Sequence, residues 1–131
     1  MPGFRLPSPI RRLVEAAEVA LVALRVDRRR SRSGPRDLVR DLRARGIRQV
    51  PRTAAERARL KRLIRLVDRC FPSGGNCYRR ALIEVAMDTS AAAEPLHMGI
   101  RVDGGPNSGH AWLGSLPESD GRGPYDADFV A

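Results

Sequence analysis

The chain has 131 residues, 42% of them hydrophobic, a size and composition that suit one compact domain and exclude a disordered tail. Its net charge of +9 is divided: residues 1–70 hold 20 Lys+Arg against 7 Asp+Glu, and residues 71–131 hold 4 against 8, so two surfaces or two tasks are expected rather than a uniformly basic nucleic-acid binder. The longest apolar run, Val19 to Leu24, has six residues, whereas a membrane-spanning helix needs about 20, so no transmembrane segment is expected.

Residues 1–7 contain Pro2, Gly3 and Pro7 and no periodicity, and read as a loose terminus. The apolar stretch that follows alternates with Arg and Glu and does not form a signal peptide. Ser8-Pro9 predicts a helix start, and Ile10, Leu13, Val14, Ala17, Leu21 and Leu24 recur at helical spacing as far as Arg28-Arg29-Arg30. A second helix is expected over 35–45, with Leu38, Val39 and Leu42 on one face and Gly46 as its C-terminal stop. After a linker, Thr53 and Glu56 form a capping box for a third helix carrying Leu60, Leu63, Ile64 and Val67. Its other faces are rich in Arg.

The pattern changes at Phe71. Pro72-Ser73-Gly74-Gly75 is a turn-forming loop. Asn76 caps a helix over 77–88 whose expected buried side is Tyr78, Ala81, Leu82, Val85 and Ala86. Residues 89–95 read as a small-residue connection. Leu96, Met98, Ile100 and Val102 alternate on one face of a strand. A Gly-rich hairpin loop leads to a second strand over 110–113, with His110 and Trp112 on one face and Ala111 and Leu113 on the other. A third strand is predicted over 125–130, where Asp126 and Asp128 share a face. Three helices followed by loop, helix and three strands give an α+β chain with an antiparallel sheet at its C-terminal end.

Cys77, His110, Trp112 and the aspartates near Asp126 carry the candidate chemistry. Only a thiolate is nucleophilic, and a helix N-terminus or a nearby imidazolium favours it. Cys77 opens a helix, where backbone N–H groups can also stabilise an oxyanion. His110 starts a strand 33 residues later, and a carboxylate on the strand after that can hold its imidazole in one tautomer. Cys70, late in an amphipathic helix beside Phe71, reads as a small buried hydrophobe. Two cysteines make no disulfide framework, so free thiols and a cytoplasmic setting are expected. His97 reads as a surface or internally satisfied strand residue, and Trp112 as core or substrate contact. Two cysteines seven apart and one distant His do not match a closed zinc site, and Gly104 to Gly109 lacks the following helix and Lys-Ser/Thr of a phosphate loop. No cofactor is expected.

At these residues the sequence resembles a known family. Cys77-Tyr78-Arg79-Arg80-Ala81-Leu82 is similar to the Cys-x-x-x-Ala-Leu helix start of the transglutaminase-like cysteine peptidases of lasso-peptide biosynthesis. Leu96-His97-Met98-Gly99-Ile100 and Gly109-His110-Ala111-Trp112-Leu113 resemble their apolar strand ending in Gly-Val/Ile and their His-Ala-Trp-Val strand. The length is similar to the stand-alone peptidase half of the lasso B protein. The resemblance implies a transglutaminase/papain-like core over 71–131, with a Cys-bearing helix on a small antiparallel sheet and the Arg-rich helical region 1–70 packed on it in one compact domain. It implies a Cys–His–Asp peptidase that removes the leader from a ribosomally made precursor peptide, working with a leader-recognition protein and an ATP-dependent cyclase. Carried over by position, Cys77 is the nucleophile, His110 the general base and Asp126 the third member, with Asp128 and Asp120 as alternatives; Asn76 and Trp112 contact substrate.

Gly114 departs from the acidic residue the family often carries there. The chain stops at Ala131, soon after the third strand, so weak activity or completion of the fold by a partner is expected. Two other functions fit the same sequence. The same triad serves a transglutaminase or acyltransferase if an amine reaches the thioester. The basic helices alone suit a non-enzymatic binder of peptide or nucleic acid, although 5% aromatic residues provide few stacking platforms.

Overall fold

The computed structural model describes residues 8–72, 76–100, 109–114 and 127–130. In chain order the elements are α1 (Ser8–Arg30), α2 (Pro35–Gly46), α3 (Ala54–Arg69), α4 (Cys77–Met87), α5 (Thr89–Ala93), β1 (Leu96–Ile100), β2 (Gly109–Leu113) and β3 (Ala127–Val130). This is the expected α+β arrangement. The sheet is antiparallel with strand order β2-β1-β3, so both later strands pair with β1 rather than with each other.

Helix α4 lies at the centre. Ala81, Leu82, Ile83, Val85, Ala86 and Met87 are all buried, and the helix touches α1, α2, α3, α5 and β2. A helix apolar on nearly every side is stable only when enclosed in this way. Its buried surface is wider than the predicted side, and Tyr78 is only half-buried.

Helix α1 buries only one of its two apolar sides, and not the set traced by helical spacing from Ile10 to Leu24. The core side carries Val19, Val22, Ala23 and Val26, whereas Ile10, Leu13, Val14, Ala17, Leu21 and Leu24 are exposed. Both sets repeat at helical spacing. Glu15, on the buried side, is neutralised by Arg52, whose Nη1 lies 2.6 Å from Glu15 Oε1 and whose Nε donates to the Met87 carbonyl at 3.2 Å.

Gly46 differs from expectation in part. It is the last residue of α2, as expected of a stop, but it does not end the helix through a left-handed turn. A Cβ there would stand 1.9 Å from the Val85 carbonyl oxygen and 2.7 Å from Ala92 Cβ. Its lack of a side chain therefore sets how closely α2 approaches α4 and α5. Thr89 closes the same contact, donating its hydroxyl hydrogen to the Gln49 carbonyl at 2.6 Å.

The region expected as a plain connection contains α5, capped by Asp88, whose Oδ1 accepts the Ser90 N–H at 3.4 Å. Cys70 is exposed rather than buried, because α3 turns its Leu60 and Ile64 to the core and leaves its C-terminal residue outside. Both cysteines are free. The predicted Thr53–Glu56 capping box is present in full. Strand β2 begins one residue early, at Gly109, and Trp112 is buried along with Ala111 on the opposite face. Asp120, Tyr125 and Asp126 lie outside the described residues.

Candidate active site

The site is built on the first turn of α4. Asn76 has extended backbone angles, and its Oδ1 accepts the Arg79 N–H at 3.0 Å. The first backbone helical bond runs from Arg80 N–H to the Asn76 carbonyl at 3.1 Å. The N–H groups of Cys77 and Tyr78 therefore have no intrahelical acceptor and lie at the positive end of the helix. That is the arrangement an oxyanion pocket requires.

The Cys77 side chain is half-buried, and its Sγ accepts the Ala111 N–H at 3.3 Å. Antiparallel pairing explains why this N–H is available. Gly114 N–H donates to the Pro95 carbonyl at 3.0 Å, and bonded pairs alternate along such a ladder. Ala111, paired with Met98, thus turns its N–H away from β1 toward the open edge of the sheet. The thiol sits on that edge, beside the peptide bond joining His110 to Ala111. The packing of α4 on β2 thus sets Cys77 against the residue that follows His110, 33 residues away in sequence.

His110 is half-buried and stacks on Trp112 with ring centroids 5.8 Å apart. Trp112 stacks in turn on His97, its cross-strand partner, at 5.3 Å and an interplanar angle of 9°. Three aromatic rings therefore form a row on one face of the sheet. His97, read from the sequence as a surface or internally satisfied strand residue, belongs to this row. Only the strand register reveals this, and hairpin loop composition does not fix register.

Gly99 is buried and pairs with His110 on one side and Asp128 on the other. The three occupy one row across the sheet, with His110 and Asp128 on strands about 10 Å apart. The strand bearing Asp128 is thus not adjacent to β2 but lies across a glycine from it. Asn76, expected at the substrate, has its side-chain oxygen engaged in the helix cap.

Behind the first turn of α4 lies a charged cluster the sequence did not signal. Arg79 is fully buried, and its Nε donates to Asp68 Oδ1 at 2.7 Å. Its Nη1 donates to Asp27 Oδ1 at 3.2 Å, and its guanidinium lies 4.5 Å over the Phe71 ring. Burial raises the Tyr78 phenol above its ordinary value, and the Arg30 charge partly offsets this. Arg30 and Asp27 thereby place the C-terminal end of α1 beside the first turn of α4.

Among the described residues no helix is long and apolar enough to cross a membrane, and no group of three or more His, Cys, Asp or Glu is placed to hold a metal ion. No curated protein and no solved structure matches the chain. The family model described as the transglutaminase-like superfamily matches residues 20–123, most of the chain, including Cys77 and His110. Members of that superfamily are in general cysteine-dependent enzymes, peptidases and acyltransferases among them. A cysteine at the start of the central helix, packed on the strand that carries a histidine, agrees with that match, and the chain belongs to the transglutaminase-like superfamily.

Proposed function

We propose that the protein is a cysteine peptidase that removes the leader from a ribosomally made precursor peptide, as in lasso-peptide maturation. The observation that carries this reading is the Cys77 thiol at the first residue of α4, held against the Ala111 N–H next to His110. The Cys77 thiolate attacks a peptide carbonyl, and the Cys77 and Tyr78 N–H groups stabilise the oxyanion. His110 protonates the leaving amine as the carbon–nitrogen bond breaks, and water activated by His110 then hydrolyses the thioester. Asp126 is proposed to orient the imidazole. Asp128, in the register row of His110, is the other candidate, and Asp120 a third. Asn76 fixes the helix start and Trp112 supports the His110 ring at the substrate side. The precursor peptide, a leader-recognition protein and an ATP-dependent cyclase are the proposed partners.

The test is incubation with a leader-bearing precursor and the recognition protein, read by mass spectrometry. Cleavage is expected from the native protein, and at least about a thousandfold less from Cys77→Ala and from His110→Ala. Undiminished cleavage by Cys77→Ala would overturn the proposal. Asp126→Asn and Asp128→Asn are compared in the same assay, and the larger loss identifies the orienting carboxylate. Product joined to an added amine instead of the free acid would reassign the same thioester to acyl transfer.

A further inference from the structure

We infer that the outer face of α1 is a docking surface for an acidic amphipathic helix of a partner protein. Ile10, Leu13, Val14, Leu21 and Leu24 are 46, 71, 47, 58 and 42% exposed. With Ala17 they form a continuous stripe, diametrically opposite the Val19–Val26 face that meets the core. From Ile10 to Leu24 it runs about 21 Å at 1.5 Å per residue. Single exposed apolar side chains need no explanation, but an unbroken stripe of five large ones along one helix marks an interaction face. Beside it, Val14, Val50 and Pro51 border a cavity of about 250 Å³, large enough for one anchoring side chain; Glu15, Glu18, Glu56, Arg11 and Arg52 also line it, so it suits an apolar or neutral anchor rather than one of the partner's acidic residues.

The charges around the stripe select the occupant. Arg28 closes its C-terminal end, and Arg25 borders it on the side that carries Glu18 nearer the middle of the helix, so the C-terminal half of the stripe is its basic part. Among the described residues neither takes part in an ion pair, whereas Arg11 and Arg29 are paired with Glu56 and Asp41. A second copy laid parallel on the stripe sets these arginines against themselves. Laid antiparallel, it sets them against the first turn of α1, which contains no acidic residue. A helix with an apolar face bordered by Asp or Glu satisfies both the stripe and its cations. Through Asp27 and Arg79 the basic end of the stripe is tied to the first turn of α4, so the partner is held at the end of the molecule that bears Cys77.

The probe is a labelled synthetic helix of about 18 residues, with leucines on one face and glutamates along its borders. A matched peptide carries lysines in place of the glutamates. Fluorescence anisotropy with the full chain is expected to show the glutamate peptide binding at least about tenfold more tightly. Leu13→Glu with Leu21→Glu is expected to weaken that binding about tenfold, and Arg25→Glu with Arg28→Glu to reverse the preference between peptides. All four positions are exposed, so circular dichroism should be unchanged. Equal affinity for the two peptides would overturn the inference. So would self-association in sedimentation that Leu21→Glu abolishes, which would make a second copy the occupant. Binding of the chain to phosphatidylglycerol vesicles, lost in Leu13→Glu with Leu21→Glu while neither peptide binds, would assign the stripe to a lipid surface instead.

Discussion

Thr53 and Glu56 satisfy each other across the first turn of α3. The Glu56 N–H donates to Thr53 Oγ1 at 3.2 Å, and the Thr53 N–H donates to Glu56 Oε2 at 2.9 Å. The second bond favours the ionised carboxylate and holds Glu56 below its ordinary value of 4.5. A carboxylate lowered on folding contributes stability above its ordinary value, and that contribution fades as the pH falls through the lowered value. Independently of that titration, Thr53→Ala removes the hydroxyl that accepts the Glu56 N–H and is expected to cost the helix about 1 kcal/mol. Nuclear magnetic resonance titration of Glu56 reads the other half of the box. With Thr53→Ala the side-chain hydroxyl is gone but the backbone N–H remains, so Glu56 should move only part of the way back to 4.5. A full return would mean that the residual bond does not survive without its reciprocal partner.

At the scale of elements, α3 and α2 show what sequence can and cannot decide. The capping box of α3 was legible because both partners lie within one turn, where chain geometry alone brings them together. The end of α2 at Gly46 was legible, but its reason was not, because a glycine near a helix end suits a left-handed stop as well as a close approach, and only the packing of α2 on α4 separates the two. In α1 the helix itself was plain, but its middle is apolar all round, and two stripes compete for the core. Nothing local favours Val19, Val22 and Val26 over Leu13, Leu21 and Leu24. The choice depends on α3 and α4, distant in sequence. Likewise the pairing of Cys77 with the strand of His110 was readable from residue types, but the placement of Asp128 across Gly99 required the strand order. Gly46 yields a prediction whose sign is opposite to helix propensity. Ala is favoured over Gly in a helix by about 1 kcal/mol. Here the added Cβ would meet backbone at 1.9 Å, and the Val85 carbonyl cannot rotate away as a side chain can. Gly46→Ala is expected to destabilise the fold by about 3 kcal/mol, seen as a lower urea midpoint at unchanged slope. An unchanged midpoint would show that α2 can shift outward without cost.

Across the whole molecule, the basic and acidic halves of the chain are joined by charges each places in the other. Arg79, from the acidic half, is enclosed by Asp27 of α1 and Asp68 of α3. Lys61 of α3 reaches Glu84 of α4 at 3.3 Å. Arg43 of α2 donates to the Ala92 carbonyl at 2.7 Å. The Arg79 cluster is the only one of these that is sealed from water on both sides: Arg79 and Asp68 side chains are 0 and 1% exposed. The consequence is an asymmetry between breaking the pair and removing it. Arg79→Met leaves the buried Asp68 carboxylate with only the Arg80 Nε, 3.9 Å from its Oδ2, as a cation, and is expected to cost about 3 kcal/mol in denaturant unfolding. Arg79→Met with Asp68→Leu fills the same space with apolar groups and leaves Asp27 and Arg80, both partly exposed and able to be hydrated. The double variant should therefore recover most of the loss, a strong favourable coupling in a double-mutant cycle. If it is no more stable than Arg79→Met alone, the loss comes from the geometry that the guanidinium imposes on the three helices and on Phe71, not from the stranded charge.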